Sequence, residues 1–301
     1  MRVLVVGDFT AAPCGIRNFA DQTYRALTNH SGLEVEKWDG HYPGIYARRE
    51  AGLPTYLPPD AADYDVIHVN WHCIAFNTYG PDHFPPPVQY STGGYSRTWR
   101  KPILSVYLND IPPWSGCPFH DRADVRFAAE PSPGCIELPY PVADWIGLPS
   151  VDEGFSVGCS TVRGDGVSFV AGICAERNWA FRIPDRSQGW LSYEDEVRRI
   201  AHNTVNVLWY FEGRGKSGGL SHAISAQRPV ICSDSQMFSH FWDYRDELYF
   251  GGSARESLVE LLHQVHADAQ QGCLRFPRRA AEERSWSRAT AQMVAAWEAA
   301  R

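Results

Sequence analysis

One carboxylate, two cations and four glycines crowd into nine residues, Phe211-Glu212-Gly213-Arg214-Gly215-Lys216-Ser217-Gly218-Gly219. Glycines let a backbone come close to a ligand, and the two cations favour an anion. The pattern suits a phosphorylated ligand. Before it stands the apolar run Val205-Asn206-Val207-Leu208-Trp209-Tyr210, which predicts a buried strand. After it, Leu220-Ser221-His222-Ala223-Ile224-Ser225-Ala226 predicts a helix, and Val230-Ile231-Cys232 a further strand behind Pro229. A loop in that place sits at the carboxyl end of a strand and the mouth of a helix. Open α/β sheets bind ligands there, and free N–H groups at a helix start receive phosphate. Gly215-Lys216-Ser217 ends like a P-loop, but that motif needs a glycine where Tyr210 stands, which argues against it.

The rest of the chain supplies further candidates at the ends of predicted strands. Residues 3–6 form a continuous apolar run, the pattern of a parallel strand covered on both faces. A loop and a helix over 16–27 follow, and Gly15 is placed for close backbone contact at that helix start. The dinucleotide fingerprint GxGxxG is absent from this loop. A strand over 65–69 ends at Asn70-Trp71-His72, and one over 103–108 ends at Asn109-Asp110. His72 and Asp110 are the residues of this half that could deprotonate or orient a hydroxyl. Short strands at 125–129 and 135–138 precede the breaker Pro139-Tyr140-Pro141-Val142, and a linker is expected near 144–152. The second half opens on a strand at 154–158 and the loop Cys159-Ser160-Thr161-Val162-Arg163-Gly164-Asp165-Gly166, whose Arg163 suits a bidentate phosphate contact. Ser192 can cap a helix whose first turn is acidic. Helices are expected around 258–265 and over 287–300.

Composition sets the outer limits. A chain of 301 residues allows two domains, and 44% hydrophobic content allows each a core. The formal net charge of -7 lowers the expectation of a nucleic-acid partner. The 8 cysteines show no CxxC spacing, so neither a zinc site nor a redox pair is indicated; no leader precedes the first strand, and reduced thiols in a cytoplasmic protein are expected. No apolar run approaches the roughly 20 residues that span a bilayer. Asp8, Asp21 and Asp39 stand alone, and no metal ligand set is assigned.

The order of these pieces resembles the retaining glycosyltransferases of family four, over most of the chain rather than in one motif. Glu212-Gly213-Arg214-Gly215 is similar to that family's Glu-Gly-aromatic-Gly loop, and Pro229-Val230-Ile231-Cys232 to its Pro-Val strand. The segment between them is longer than usual, and His222-Ala223 stands where the family has Glu-Ala. Asp65-Val66-Ile67-His68 resembles an Asp-Val-aliphatic-His strand, with Asn70 in the place of a second His, and Asn109-Asp110 resembles a His-Asp strand end. Gly158 to Gly164 resembles a phosphate loop with Cys159 for Arg and Arg163 for Lys; Ser285-Trp286 resembles the dipeptide that opens the last helix.

The resemblance implies an α/β chain of GT-B type, two facing Rossmann-like domains with parallel sheets. Residues 1–146 would form the acceptor side, 147–285 the nucleotide-sugar side, and 286–301 a helix returning toward the first domain. It implies transfer of a hexosyl or pentosyl group, with retention, from a nucleotide-diphosphate sugar, UDP-sugar first, and no further cofactor or metal. Glu212 would grip donor-sugar hydroxyls and face the cationic transition state. Gly15, Arg163, Gly213, Arg214, Gly215, Lys216, Ser217, Gly218, Gly219 and His222 would hold the donor. Asp110 and His72 would act on the acceptor hydroxyl, with Asn70 and Asn109 beside them. The acceptor stays open between a small molecule, a glycan and a modified DNA base. Two further readings stand beside this one: a transferase acting on hydroxymethylated DNA, and a GT-B-like protein that binds a nucleotide sugar without turnover, suggested by the replacements Cys159, Asn109 and His222. Nothing in the sequence sets the oligomeric state.

Overall fold

The computed structural model describes residues 1–7, 9, 15–39, 63–71, 102–108, 123–144, 154–159, 165–183, 191–210 and 218–301. The chain divides into two compact units, Met1–Pro139 with Ala289–Arg301, and Tyr140–Arg288.

In the first unit the strands are β1 (Arg2–Gly7), β2 (Glu34–Asp39), β3 (Val66–Trp71), β4 (Ile103–Leu108), β5 (Val125–Ala128) and β6 (Ile136–Glu137), with helix α1 (Gly15–Thr28) after β1. All pair in parallel, in the order β2-β1-β3-β4-β5-β6. The apolar run of β1 is buried on both sides because side chains alternate across the sheet. Leu4, Val6, Ile67, Val69, Val106 and Leu108 pack on one face with Tyr64 and Ala123. On the other face Val5, His68 and Ser105 share a register, and Tyr107 stands beside Phe127. Among the described residues, two helices cover that second face. α1 brings the Phe19 ring to 4.8 Å from that of Tyr107, and a Cβ on Gly7 would fall 2.7 Å from Ala20 Cβ. Only a glycine lets this helix pack so close to the strand that feeds it. From the terminal helix, Trp297 is fully buried and its indole N–H donates to Ser105 Oγ at 2.9 Å.

The second unit has β7 (Ser156–Cys159), α2 (Asp165–Arg177), β8 (Ala180–Arg182), α3 (Tyr193–Ala201), β9 (Val205–Leu208), α4 (Gly218–Ser225), β10 (Val230–Ser233), a 3-10 helix (Gln236–Tyr244), β11 (Tyr249–Gly251), α5 (Arg255–Gln271) and α6 (Arg278–Glu283). Its sheet is also parallel, in the order β11-β10-β9-β7-β8. One face is closed by α3, α4 and the 3-10 helix, through Val197, Ile200, Leu220, Ile224, Phe238 and Phe241. The other is closed by α2 and α5, through Val170, Ile173, Leu258, Leu262 and Val265. Ser192 caps α3: its Oγ accepts from the Asp195 N–H at 3.1 Å and donates to the Asp195 carboxylate at 2.8 Å. The last helix, α7 (Trp286–Ala299), opens in this unit and runs into the first. At its start the Val142 N–H donates to the Arg284 carbonyl at 2.6 Å, and the Trp286 N–H to the Val142 carbonyl at 2.9 Å. Among the described residues no helix is long and apolar enough to cross a membrane.

Candidate functional site

Each sheet has one place where its strand order reverses. In the second unit β7 lies between β8 and β9, so the chain winds outward in one direction from β7 to β8 and in the other from β9 onward. Two connections that leave a sheet in opposite directions open a crevice at the carboxyl ends of the strands between them. Here those strands are β7 and β9, with Val157 opposite Val205 and Cys159 opposite Val207. Residues 160–164 leave β7, and residues 211–217 leave β9 and enter α4. The two segments singled out by composition, one carrying Arg163 and the other Glu212 and Lys216, are therefore attached to neighbouring strand ends. Arg163, Glu212, Gly213, Arg214, Gly215, Lys216 and Ser217 themselves lie outside the described residues.

The framework around those segments is described. Gly218 and Gly219 are the first residues of α4, and its leading N–H groups have no carbonyl within the helix to bond. Tyr140 stands over this start, with its hydroxyl 3.4 Å from the place a Cβ on Gly218 would take. At the end of β9, Ser233 of β10 holds the backbone of Tyr210 twice: its Oγ accepts from the Tyr210 N–H at 3.2 Å and donates to the Tyr210 carbonyl at 3.0 Å. At the end of β7, Arg199 of α3 donates to the Cys159 carbonyl at 3.3 Å. The same guanidinium grips the Glu196 carboxylate through Nε at 3.0 Å and Nη2 at 2.8 Å. So both loop-bearing strand ends are fixed by a side chain from a neighbouring element.

His222 lies one turn into α4, half-buried, with its ring edge-on to Tyr193 at 4.5 Å. Tyr193 is locked in turn. Its hydroxyl lies 2.8 Å from Ser225 Oγ, which donates to the Ser221 carbonyl at 2.7 Å and accepts from the Ala143 N–H at 3.0 Å. Burial pushes the Tyr193 phenol up to about 12, so it remains a protonated donor at neutral pH.

No family model matches the chain, and no curated protein does. Solved structures match it from end to end. A glycosyltransferase from Rickettsia africae ESF-5 aligns with a TM-score of 0.61 at 8% identity, over 99% of this chain and 98% of that one. Sucrose-phosphate synthase from Thermosynechococcus elongatus aligns at 0.60 and 12% identity, over 99% and 98%. HepE from Anabaena, solved with UDP and glucose, aligns at 0.61 and 10% identity, over 99% and 100%. The chain has the GT-B fold. Two parallel sheets of six and five strands, each flanked by helices, are the α/β architecture the sequence predicts.

In the GT-B chain the first unit has its own reversal, between β1 and β3. Gly15 is the first residue of α1, and Asn70 is the last residue but one of β3. His72 follows β3, and Asn109 and Asp110 follow β4; these three lie outside the described residues. Asn70 is almost wholly buried, and its Oδ1 lies 3.2 Å from His68 Nε2. Among the described residues no group of His, Cys, Asp and Glu is arranged to hold a metal ion. Sequence reasoning missed Arg199, Glu196, Ser233 and Tyr140. Only the Glu-x-x-Arg spacing on a helix announces a pair of this kind, and nothing local announces its contact with Cys159, 40 residues earlier.

Proposed function

We propose that the chain is a glycosyltransferase that takes a sugar from a nucleotide-diphosphate donor, UDP-sugar first, and passes it to an acceptor hydroxyl. One observation carries the reading: in a GT-B fold, the two segments that hold glycines and cations leave adjacent strands at the reversal point of one sheet. As the glycosidic bond breaks, negative charge grows on the outer phosphate. Arg163, Lys216 and the leading N–H groups of α4 are the groups that would meet it, in the manner of a preorganised anion site. In this reading the leaving group needs no metal. Glu212 faces the sugar, His222 lies toward the nucleotide, and Asp110 or His72 takes the acceptor proton. Retention of configuration follows the family resemblance.

A thermal-shift series with UDP, GDP, ADP and TDP sugars tests the first step. A ligand at about 100 times its dissociation constant stabilises the native chain by about 2.7 kcal/mol. The matching nucleotide is expected to shift the midpoint, and Glu212→Ala to abolish nucleotide release while keeping that shift. A chain that answers to none of the four defeats the reading.

A further inference from the structure

We propose that the second unit carries a further small-molecule site at the amino ends of β7, β9 and β10, and that it takes a planar aromatic acid, with Arg228 meeting the acid group and Phe155, His266 and Phe276 meeting the ring. The site lies at the end of the sheet opposite the loops assigned to the donor, and it stands independently of the glycosyltransferase reading.

A cavity of about 490 Å³ opens there, a volume in the range of sites that hold small ligands. Strand starts supply one part of its lining: Gly154 and Phe155 lead into β7, Thr204 into β9 and Arg228 into β10. The last turns of α5 supply His266, Ala269 and Gln270, and the segment behind that helix supplies Leu274 and Phe276. β7 has 4 residues at about 3.3 Å each, so one strand length, about 13 Å, separates this cavity from the carboxyl ends where the glycine-rich loops depart.

The ligand class follows from what the lining leaves to bond. Helix carbonyls that end near the cavity are already taken. Ala201, the last residue of α3, accepts from Arg228 Nε at 2.7 Å, and the His202 carbonyl accepts from Arg182 Nη1 at 3.1 Å. At the end of α5 the Ala269 carbonyl accepts from the Gly272 N–H at 3.3 Å, and the Asp268 carbonyl from the Cys273 N–H at 2.9 Å. Recognition therefore falls to side chains. The Nε bond fixes the guanidinium of Arg228 at the cavity, and burial lowers its pKa, a cost that a neighbouring anion offsets. Among the described residues that line the cavity none is an acid, so the charge of the lining favours an anion. Guanidinium N–H groups match a carboxylate in particular. The side chains of His266 and Gln270 make no hydrogen bond, which leaves an imidazole and an amide for the same occupant. The His266 ring is nonetheless held, edge-on to Phe155 at 4.8 Å and tilted against Trp179 at 4.9 Å. With Phe276 and Leu274 this makes an apolar, largely aromatic lining around one cation, which suits a flat ring that carries one negative group.

Proton–nitrogen NMR on the full, isotope-labelled chain tests this with naphthoate, and with naphthamide as its uncharged control. Naphthoate is expected to move the backbone signals of Thr204, Ala269 and Gln270, and to bind at least tenfold more tightly than the amide, the difference a charge-assisted hydrogen bond makes. Arg228→Gln should remove that preference, lowering the affinity for naphthoate about tenfold and leaving that for naphthamide unchanged. Ala269→Phe keeps every polar group and fills the cavity, and it should abolish binding of both. Should Arg228→Gln fail to fold, the acid–amide comparison on the parent and the filled-cavity variant still decide the matter. Signals that stay in place at about 5 mM naphthoate overturn the site, and so does binding that survives Ala269→Phe. Equal affinity for acid and amide, or a folded Arg228→Gln chain that binds naphthoate like the parent, overturns the assignment of an acid to Arg228.

Discussion

A Cβ on Gly158 would fall 2.6 Å from the Cγ of Asn203 and no farther from the Oδ1 of Asn206. Gly158 lies in β7, one residue before the strand ends at Cys159. The two asparagines are fully buried, with Asn203 Nδ2 donating to Asn206 Oδ1 at 2.9 Å and Asn206 Nδ2 to the Ile200 carbonyl at 3.1 Å. This polar pair ties the end of α3 to the start of β9 and leaves room for a hydrogen only at 158. Gly158→Ala is expected to force Asn203 away and strand a buried amide. Overpacking costs about 1–3 kcal/mol and a stranded buried amide a similar amount, so a loss of roughly 3 kcal/mol is expected in urea unfolding. Adding Asn203→Ala should return part of it. An alanine variant as stable as the parent would show that the amides move aside freely.

How much of this was visible in the sequence differs from element to element, for physical reasons. β1, β3 and β4 were legible because strands buried on both faces read as mainly apolar runs, unbroken in β1 and interrupted by His68 and Asn70 in β3 and by Ser105 in β4. β2, Glu34-Val35-Glu36-Lys37-Trp38-Asp39, was not, because it is a half-solvated edge strand whose charges hide the pattern. α2 was missed too, since Gly166 and Gly172 interrupt the helical spacing of Val170, Ile173 and Cys174. The loops after β7 and β9 could be chosen from glycines and cations alone. Their adjacency could not, because β8 and two helices separate them along the chain and only the parallel crossover brings their strands together. Ser105 and Trp297 lie 192 residues apart, and no spacing rule links them.

The Arg199–Glu196 pair is the second place where stability and the candidate site meet. The guanidinium side chain is 19% exposed and the carboxylate 7%, and their contact is two-pronged. The third contact, to the Cys159 carbonyl, holds the strand end from which the Arg163 loop departs. Arg199→Ala leaves Glu196 buried without its partner, and a loss of about 3 kcal/mol is expected. Arg199→Lys should recover little, because a point charge cannot serve both carboxylate oxygens and the carbonyl from one position. Replacing both residues by leucine should restore most of the stability, since two desolvated charges are removed together. Denaturation midpoints for the four proteins decide it; a lysine variant matching the parent would mean that the fork geometry contributes nothing.

His68 gives the molecule a measurable response to acid. Burial lowers its pKa from 6.5 to about 3, and the hydrogen bond to Asn70 offsets this only in part. Ser105, Asn70, Trp297 and Phe127, the groups described against the ring, carry no charge. The folded state therefore keeps the ring neutral at pH values where the unfolded chain takes up a proton. The stability this group contributes is complete above pH 6.5 and is lost as pH falls toward 3, because over that range the unfolded state binds the extra proton. The slope for one such group is about 1.4 kcal/mol per pH unit, so roughly 3 kcal/mol should be gone by about pH 4.5. His68→Gln should be less stable than the parent at neutral pH, since it disturbs the buried hydrogen bonds to Ser105 and Asn70, yet lose less on acidification. Urea unfolding of both proteins at several pH values between about 7 and 4.5 separates the two effects, because the carboxylates and the other histidines are common to both and cancel in the difference. Parallel curves would mean that His68 is already charged in the folded chain or is reached by water, and either would break the Ser105–His68–Asn70 connection as drawn.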